Sequence, residues 1–241
     1  TTSNPIMIKT LSGNSYRFPH AVKSFVRIQD IDLHLKQRSI EHAWMKKYGF
    51  LLMKKIHRMR STLQVSGQPQ NDFHIREISN FENMTEFWNG IKNYYNFIIE
   101  RNHDYLNWRY MDSRGGNYLV KIAEADGRIL GYIVMKIEHP RKGYSLGYII
   151  DLLALPNRLD AANALVQDGV YYFINNHVNV ISCLAVKNHP YEKILKRNGF
   201  ITRWGEFYLS YKKIAEVREL RKLETSSPSR IHVAYGDFDF V

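Results

Sequence analysis

From residue 143 to residue 200 the chain shows its clearest succession of apolar patterns. Residues 148–155 form a nearly unbroken apolar run, short enough for a buried strand and stopped by Pro156. Ala161, Ala164, Leu165, Val170 and Phe173 then recur at helical spacing, and residues 178–186 supply a second apolar strand. A short helix follows and ends at Asn198-Gly199, where glycine takes the left-handed conformation that closes a helix. A βαβα unit of this kind predicts two parallel strands joined by a crossover helix.

The flanking patterns extend the unit. Residues 73–78 alternate apolar and polar, as a half-buried strand does. Residues 81–110 read as helical, with a break near Arg101-Asn102, and Gly115-Gly116 ends them. Residues 118–125 and 128–138 form a predicted hairpin across Asp126-Gly127, a strong two-residue turn signal. A turn at 139–143 leads into the strand before Pro156. After Phe200, residues 201–211 read as a strand, 213–224 as a charged helix, and 231–235 as a final strand with an acidic tip at 236–239. The expectation is an α/β (α+β mixed) domain, its central mixed sheet of about six to seven strands flanked by helices.

Ahead of this domain, residues 21–28 look extended, and residues 31–60 are rich in lysine and arginine with an apolar stripe through Ile40, Trp44, Tyr48, Ile56 and Met59. Residues 61–72 are polar, with Gly67 and Pro69, and read as a linker. The expected organisation is an N-terminal extension with a basic helix over 1–68 and a folded domain over 69–241. The first residue is Thr1 and no signal peptide is visible, so the chain is expected to be a piece of something longer.

Composition narrows the function classes. The formal net charge of +11 favours anionic partners without identifying them. A basic amphipathic helix can bind nucleic acid or a membrane surface, but charge is all that supports this. The expected use of its stripe is docking on a neighbouring domain. No apolar run approaches the roughly 20 residues of a membrane-spanning helix, and the expected location is cytoplasmic. The single cysteine, Cys183, sits in an apolar strand as a core residue without a disulfide partner. His103, His139, His177 and His189 stand at element ends without metal-ligand spacing, so no metal is expected. No G-x-S-x-G or P-loop motif supports a hydrolase or NTPase.

The order β-αα-βββ-α-β-α-ββ, with Gly199-Phe200 after the last core helix, resembles the GNAT superfamily of acyl-CoA-dependent N-acyltransferases over residues 70–241. Leu155-Pro156 is similar to that family's V-x-P step, and Asn188 to the asparagine that opens its last core helix. The pieces R-N-H-D-Y-L-N-W-R-Y and Y-G-D-F-D-F resemble a subgroup in which two such domains occur in tandem, several members being associated with cell-surface polysaccharide biosynthesis. On that view the N-terminal extension is the tail of a preceding domain.

The resemblance implies acetyl-CoA or another acyl-CoA as co-substrate and a small amine as acceptor, for instance an amino sugar. The alternative it leaves open is a GNAT-fold domain without catalysis, serving binding or assembly. The strand before Pro156 would splay from its neighbour and admit the pantetheine arm along Leu153 and Leu155. The pyrophosphate would lie on the next loop and helix N-terminus, at Arg158, Ala162, Asn163 and Ala164, with Asn188 opposite. In place of the family's Gln/Arg-x-x-Gly-x-Gly/Ala loop stands Leu159-Asp160-Ala161-Ala162-Asn163-Ala164, so the basic or amide residue is missing and Asp160 brings a negative charge. The family's acid tyrosine is replaced by Leu195, with Tyr191 one turn earlier as the candidate acid. Asp151, an acid in an apolar strand, reads either as a base with a pKa raised by burial or as a bulge or hydrogen-bonding residue at the splay. Trp88, Tyr95, Trp108 and Asp237 are the candidate acceptor-site residues.

Overall fold

A computed structural model describes residues 16–17, 20–29, 72–203, 205, 207–208, 211–212 and 218–238. The expected basic helix and most of the linker lie outside the described residues. In chain order the elements are β1 (Tyr16–Arg17), β2 (Ala21–Ile28), β3 (His74–Ile78), α1 (Met84–Lys92), α2 (His103–Tyr110), β4 (Leu119–Ala125), β5 (Arg128–Arg141), β6 (Tyr144–Ala154), α3 (Leu159–Asn175), β7 (Val180–Val186), α4 (Pro190–Arg197), β8 (Ile201–Thr202), β9 (Phe207–Tyr208), β10 (Tyr211–Lys212) and α5 (Arg218–Thr225).

The main sheet has eight strands in the order β3-β4-β5-β6-β7-β2-β8, with β9 also on β2. Among the described strands only β6 and β7 run parallel, so the sheet is mixed. β2 was expected to stand in an extension; instead it lies between β7 and β8, with Val22 and Phe25 in the core. The sheet therefore takes in a strand from ahead of residue 69.

Two apolar layers sandwich the sheet. One packs α3 and α4 through Ala161, Ala162, Leu165, Phe173, Ile194 and Leu195. The other packs α1 and α2, through Met84, Phe87, Ile91, Leu106 and Tyr110, together with residues 231–235. Gly147 lets α3 approach β6: a Cβ there would stand 2.7 Å from the Phe173 ring. The Asp126-Gly127 hairpin forms as expected, both residues having positive φ, 49° and 73°. α4 ends in a Schellman motif, with Gly199 at φ 82° and the Phe200 N–H donating to Leu195 O at 3.0 Å.

The break expected near Arg101-Asn102 is present and spans residues 93–102, with Asn102 capping α2 by accepting the Tyr105 N–H at 2.8 Å. Two expectations are corrected. The single strand expected over 201–211 is interrupted at Arg203 and Gly205, and the described residues form short strands at Ile201–Thr202, Phe207–Tyr208 and Tyr211–Lys212. Residues 231–235 form no strand: Ile231 makes an isolated bridge to Phe97, and 3₁₀ turns at Pro228–Arg230 and Tyr235–Asp237 flank it. This strap lies against the α1–α2 layer instead of extending the sheet.

Candidate functional site

β6 and β7 pair from Leu146/Val180 to Ile149/Cys183 and no further. Beyond that point β7 continues its ladder with β2, while β6 continues with β5. The two parallel strands thus open towards their C-terminal ends, where ligands bind in open α/β sheets. The register of β6 on β5 shifts between Ile149 and Asp151. Such a bulge re-aims side chains: Ile150 and Asp151 both meet the α1–α2 layer.

Asp151 is the centre of what gathers there. It is fully buried, and its Oδ2 accepts from Arg101 Nε at 2.8 Å, Tyr132 OH at 2.9 Å and Tyr110 OH at 3.1 Å. Its Oδ1 lies 3.1 Å from His232 Nε2, on the strap. Arg101, also fully buried, donates from its other arm to Asp237 Oδ1 at 2.5 Å, and Asp237 Oδ2 accepts the Ala234 N–H at 2.9 Å. One arginine thereby fastens the strap to the bulged strand.

The expectation that burial lifts the Asp151 carboxyl towards neutrality is overturned. Desolvation does push it upward, but Arg101, His232 and the Tyr132 hydroxyl together outweigh it and hold the group below the usual carboxylate range. The hydrogen-bonding alternative describes this residue better. Burial is also the first cause that raises the Tyr110 and Tyr132 hydroxyls, with the Asp151 charge next.

The far side of the gap is closed by α4. Tyr191 is buried, and its hydroxyl accepts the Ala154 N–H at 2.9 Å, satisfying a donor that the parting strands leave without a ladder partner. Tyr95 shares a hydroxyl hydrogen bond with Tyr191. His189 Nδ1 accepts the Tyr191 N–H at 3.2 Å, and its ring centroid lies 4.5 Å from that of Tyr191 and 6.5 Å from that of Tyr95. The Tyr95 and His232 rings meet edge-on at 5.8 Å. Burial brings His189 down to about 3, so its imidazole is neutral at ordinary pH. Between these groups lies a cavity of about 10 Å³, lined by Asp151, Cys183, His189, Tyr191 and His232. A volume of roughly 10–15 Å³ holds one water.

The remaining expected residues divide between this site and elsewhere. Leu153 is buried in the core, and Leu155 packs against the backbone of α1 at Gly90. Trp88 is half-buried against the α1–α2 layer, whereas Trp108 is 63% exposed beside Tyr105. Ala162 and Ala164 are buried, and the Ala162 N–H already bonds to Arg158 O at 3.3 Å, so it is spent within the helix. Asn163 Oδ1 accepts from Asn198 Nδ2 at 3.0 Å, tying α3 to α4. Asn188 does not cap α4; His189 does, and Asn188 precedes it at φ 66° with its N–H on Glu192 Oε2 at 2.9 Å. Arg158 is held by Asp160 at 2.9–3.3 Å and by Asp72 at 2.6 Å. The Asp160 carboxylate also takes the N–H groups of residues 160 and 161.

Arg101 and His232 were not singled out from the sequence. A carboxylate inside an apolar strand requires a cation or several donors, and that requirement was the available signal.

No family model matches the sequence, and no curated protein matches it. Solved structures do. A conserved protein of unknown function from Enterococcus faecalis V583, given as a probable N-acyltransferase, is similar at 9% identity and a TM-score of 0.50, over 84% of this chain and 41% of that one. A tandem GNAT protein from the clavulanic acid biosynthesis pathway is similar at 11% identity and a TM-score of 0.50, over 87% of this chain and 58% of that one. The chain has the GNAT fold. It spans about half the length of these two neighbours, whose activities and partners remain theirs. Among the described residues no helix is long and apolar enough to cross a membrane, and no group of three or more His, Cys, Asp or Glu side chains could hold a metal ion.

Proposed function

We propose that this GNAT-fold domain transfers an acyl group from an acyl-CoA thioester to a small amine. The observation that carries the reading is the opening of β6 from β7 beyond Ile149/Cys183, with titratable side chains gathered at that one gap. Parted parallel strands are where a pantetheine arm would pair its amides with strand backbone; the Ala154 N–H at the opening is held by the Tyr191 hydroxyl, which such an arm would displace. Acyl transfer to nitrogen also needs a group that moves a proton, and Asp151, His189, Tyr191 and His232 all border the cavity. An amino sugar of a surface polysaccharide is the acceptor that the sequence resemblance implies.

The diphosphate side fits less well. Asp160 occupies the first N–H groups of α3, and Arg158 is engaged by two carboxylates. That observation favours a second reading, a domain that keeps the GNAT fold for binding or assembly. Tandem arrangement with a preceding GNAT-like domain suits either reading.

Calorimetry with acetyl-CoA separates the two. The enzyme reading expects saturable binding, followed by thiol release when an amine such as glucosamine is added. Absence of heat at millimolar acetyl-CoA, on the full-length native chain, would sink it and leave the second.

A further inference from the structure

We propose that His232 is the general base of the gap and Asp151 its positioning residue; the assignment rests on the acyl-transfer reading above. Asp151 Oδ1 faces His232 Nε2 at 3.1 Å, while Oδ2 is fully engaged by Arg101, Tyr110 and Tyr132. An ionised carboxylate only accepts hydrogen bonds, so Nε2 carries the hydrogen and the lone pair of the neutral ring stands on Nδ1. No hydrogen bond from a described residue uses Nδ1, and His232 lines the cavity. A base oriented by a third group that is itself anchored is the arrangement that nucleophilic and acid–base sites share.

Behind the His232–Asp151 contact, Arg101 pairs with Asp151 of β6 and with Asp237 of the strap. The groups presented by the other elements are neutral: Tyr110 on α2, Tyr132 on β5, Cys183 on β7, Tyr95 after α1, and His189 and Tyr191 at α4. His189 differs in kind. Its Nδ1 is used by the Tyr191 N–H, so the neutral ring presents Nε2–H as a donor and cannot serve as the base.

The step balances without a further reactant. His232 Nδ1 takes the amine's proton, directly or through the single water that the cavity can hold. The nitrogen lone pair forms the C–N bond, the C–S bond breaks with its electron pair on sulfur, and His232 returns the proton to the thiolate. Amide and thiol are the products.

The test has two arms. In the first, His232→Gln and wild type are compared for thiol release from acetyl-CoA with glucosamine and with water as nucleophile. The variant is expected to lose roughly 10²–10⁴-fold in kcat and to keep its calorimetric affinity for acetyl-CoA. Unchanged kcat would overturn the assignment. A wild type that fails to bind acetyl-CoA would instead overturn the acyl-transfer reading. The second arm is ¹⁵N NMR of the histidine-labelled native chain, which needs no variant to fold. An Nε2–H tautomer at His232 is expected, and an Nδ1–H tautomer would refute the base whatever the activity.

Discussion

At the start of α3, Arg158 meets Asp160 two residues on and Asp72 from before β3, in pairs that solvent reaches. Across the same gap, Arg101 meets Asp151 fifty residues on and Asp237 near the end of the described chain, and both partners and the arginine are buried. Each region is an arginine between two carboxylates, yet the two do different work. The exposed trio gains little, because water screens it and each side chain could find equal partners in solvent. The buried trio is costly to assemble and more costly to interrupt, because a lone charge in the core has no such alternative. It joins β6, the segment before α2 and the strap, and so fixes where the cavity lies.

The largest effect should come from interrupting the buried trio. Arg101→Met removes the cation and leaves Asp151 and Asp237 without it, which is expected to cost about 3–5 kcal/mol. Domains have only about 5–15 kcal/mol in total. Urea denaturation of the variant should therefore show a much lower midpoint or no folded baseline. A loss below about 1 kcal/mol would mean that the two regions are energetically alike after all.

Acidification tests the buried side by a separate route. His189 is neutral in the fold down to about 3, whereas an unfolded histidine takes its proton near 6.5. Its folded-state value is depressed, so the unfolded state binds the proton first as pH falls. Stability is then full above pH 6.5 and is lost between 6.5 and 3, at roughly 1.4 kcal/mol per pH unit, or about 3 kcal/mol by pH 4. Asp151, held below the ordinary range, adds a further loss only as pH falls below about 4. His189→Asn keeps a competent helix cap and should flatten the upper part of this slope in stability curves measured across that range. The exposed trio should contribute no comparable slope.

The sequence showed one of these regions and half of the other. Strand, helix, strand, helix and the closing Gly199 follow from local apolar period and a C-cap signal, and all were legible. Asp151 stood out because an acid in an apolar run is anomalous. Arg101 and His232 did not, because what makes them matter is a contact across 50 or 81 positions, and nothing local encodes it. β2 was missed for the same reason: residues 21–28 read as extended, but the partner that buries them, β7, lies some 160 residues on. Ala162 carries two meanings at once: its small side chain reads as room for a phosphate, and it also packs in the layer between α3 and the sheet.

A smaller effect is expected where the strap rests on α2. A Cβ at Gly236 would collide with the Tyr110 hydroxyl, which also donates to Asp151. Gly236→Ala should cost about 1–3 kcal/mol as an overpacking change. Because the clash is with the hydroxyl, part of the loss should return in a Tyr110→Phe background, even though that change alone removes a bond to Asp151. The double-mutant cycle reads this coupling directly. Additive losses would show that the strap is held elsewhere, through Arg109, which donates to Gly236 O and Phe238 O at 3.1 Å.

The smallest change in stability, and the sharpest test of the comparison, belongs to the exposed trio. Asp160→Ala breaks ion pairs that solvent already screens, so the folded state should shift by no more than about 0.5 kcal/mol. Its effect on ligand binding should be larger. The substitution removes a negative charge from the first turn of α3, uncovers the N–H groups of residues 160 and 161, and leaves Arg158 with Asp72 alone. Each of these changes favours an anion at the helix N-terminus. If the carboxylate occupies the place of a diphosphate, calorimetry should record tighter acetyl-CoA binding in the variant, and the gain should shrink as salt is raised. Weaker binding would give Asp160 the opposite part. It would then be a cap that shapes the loop for its ligand, and the exposed region would be as necessary to the site as the buried one.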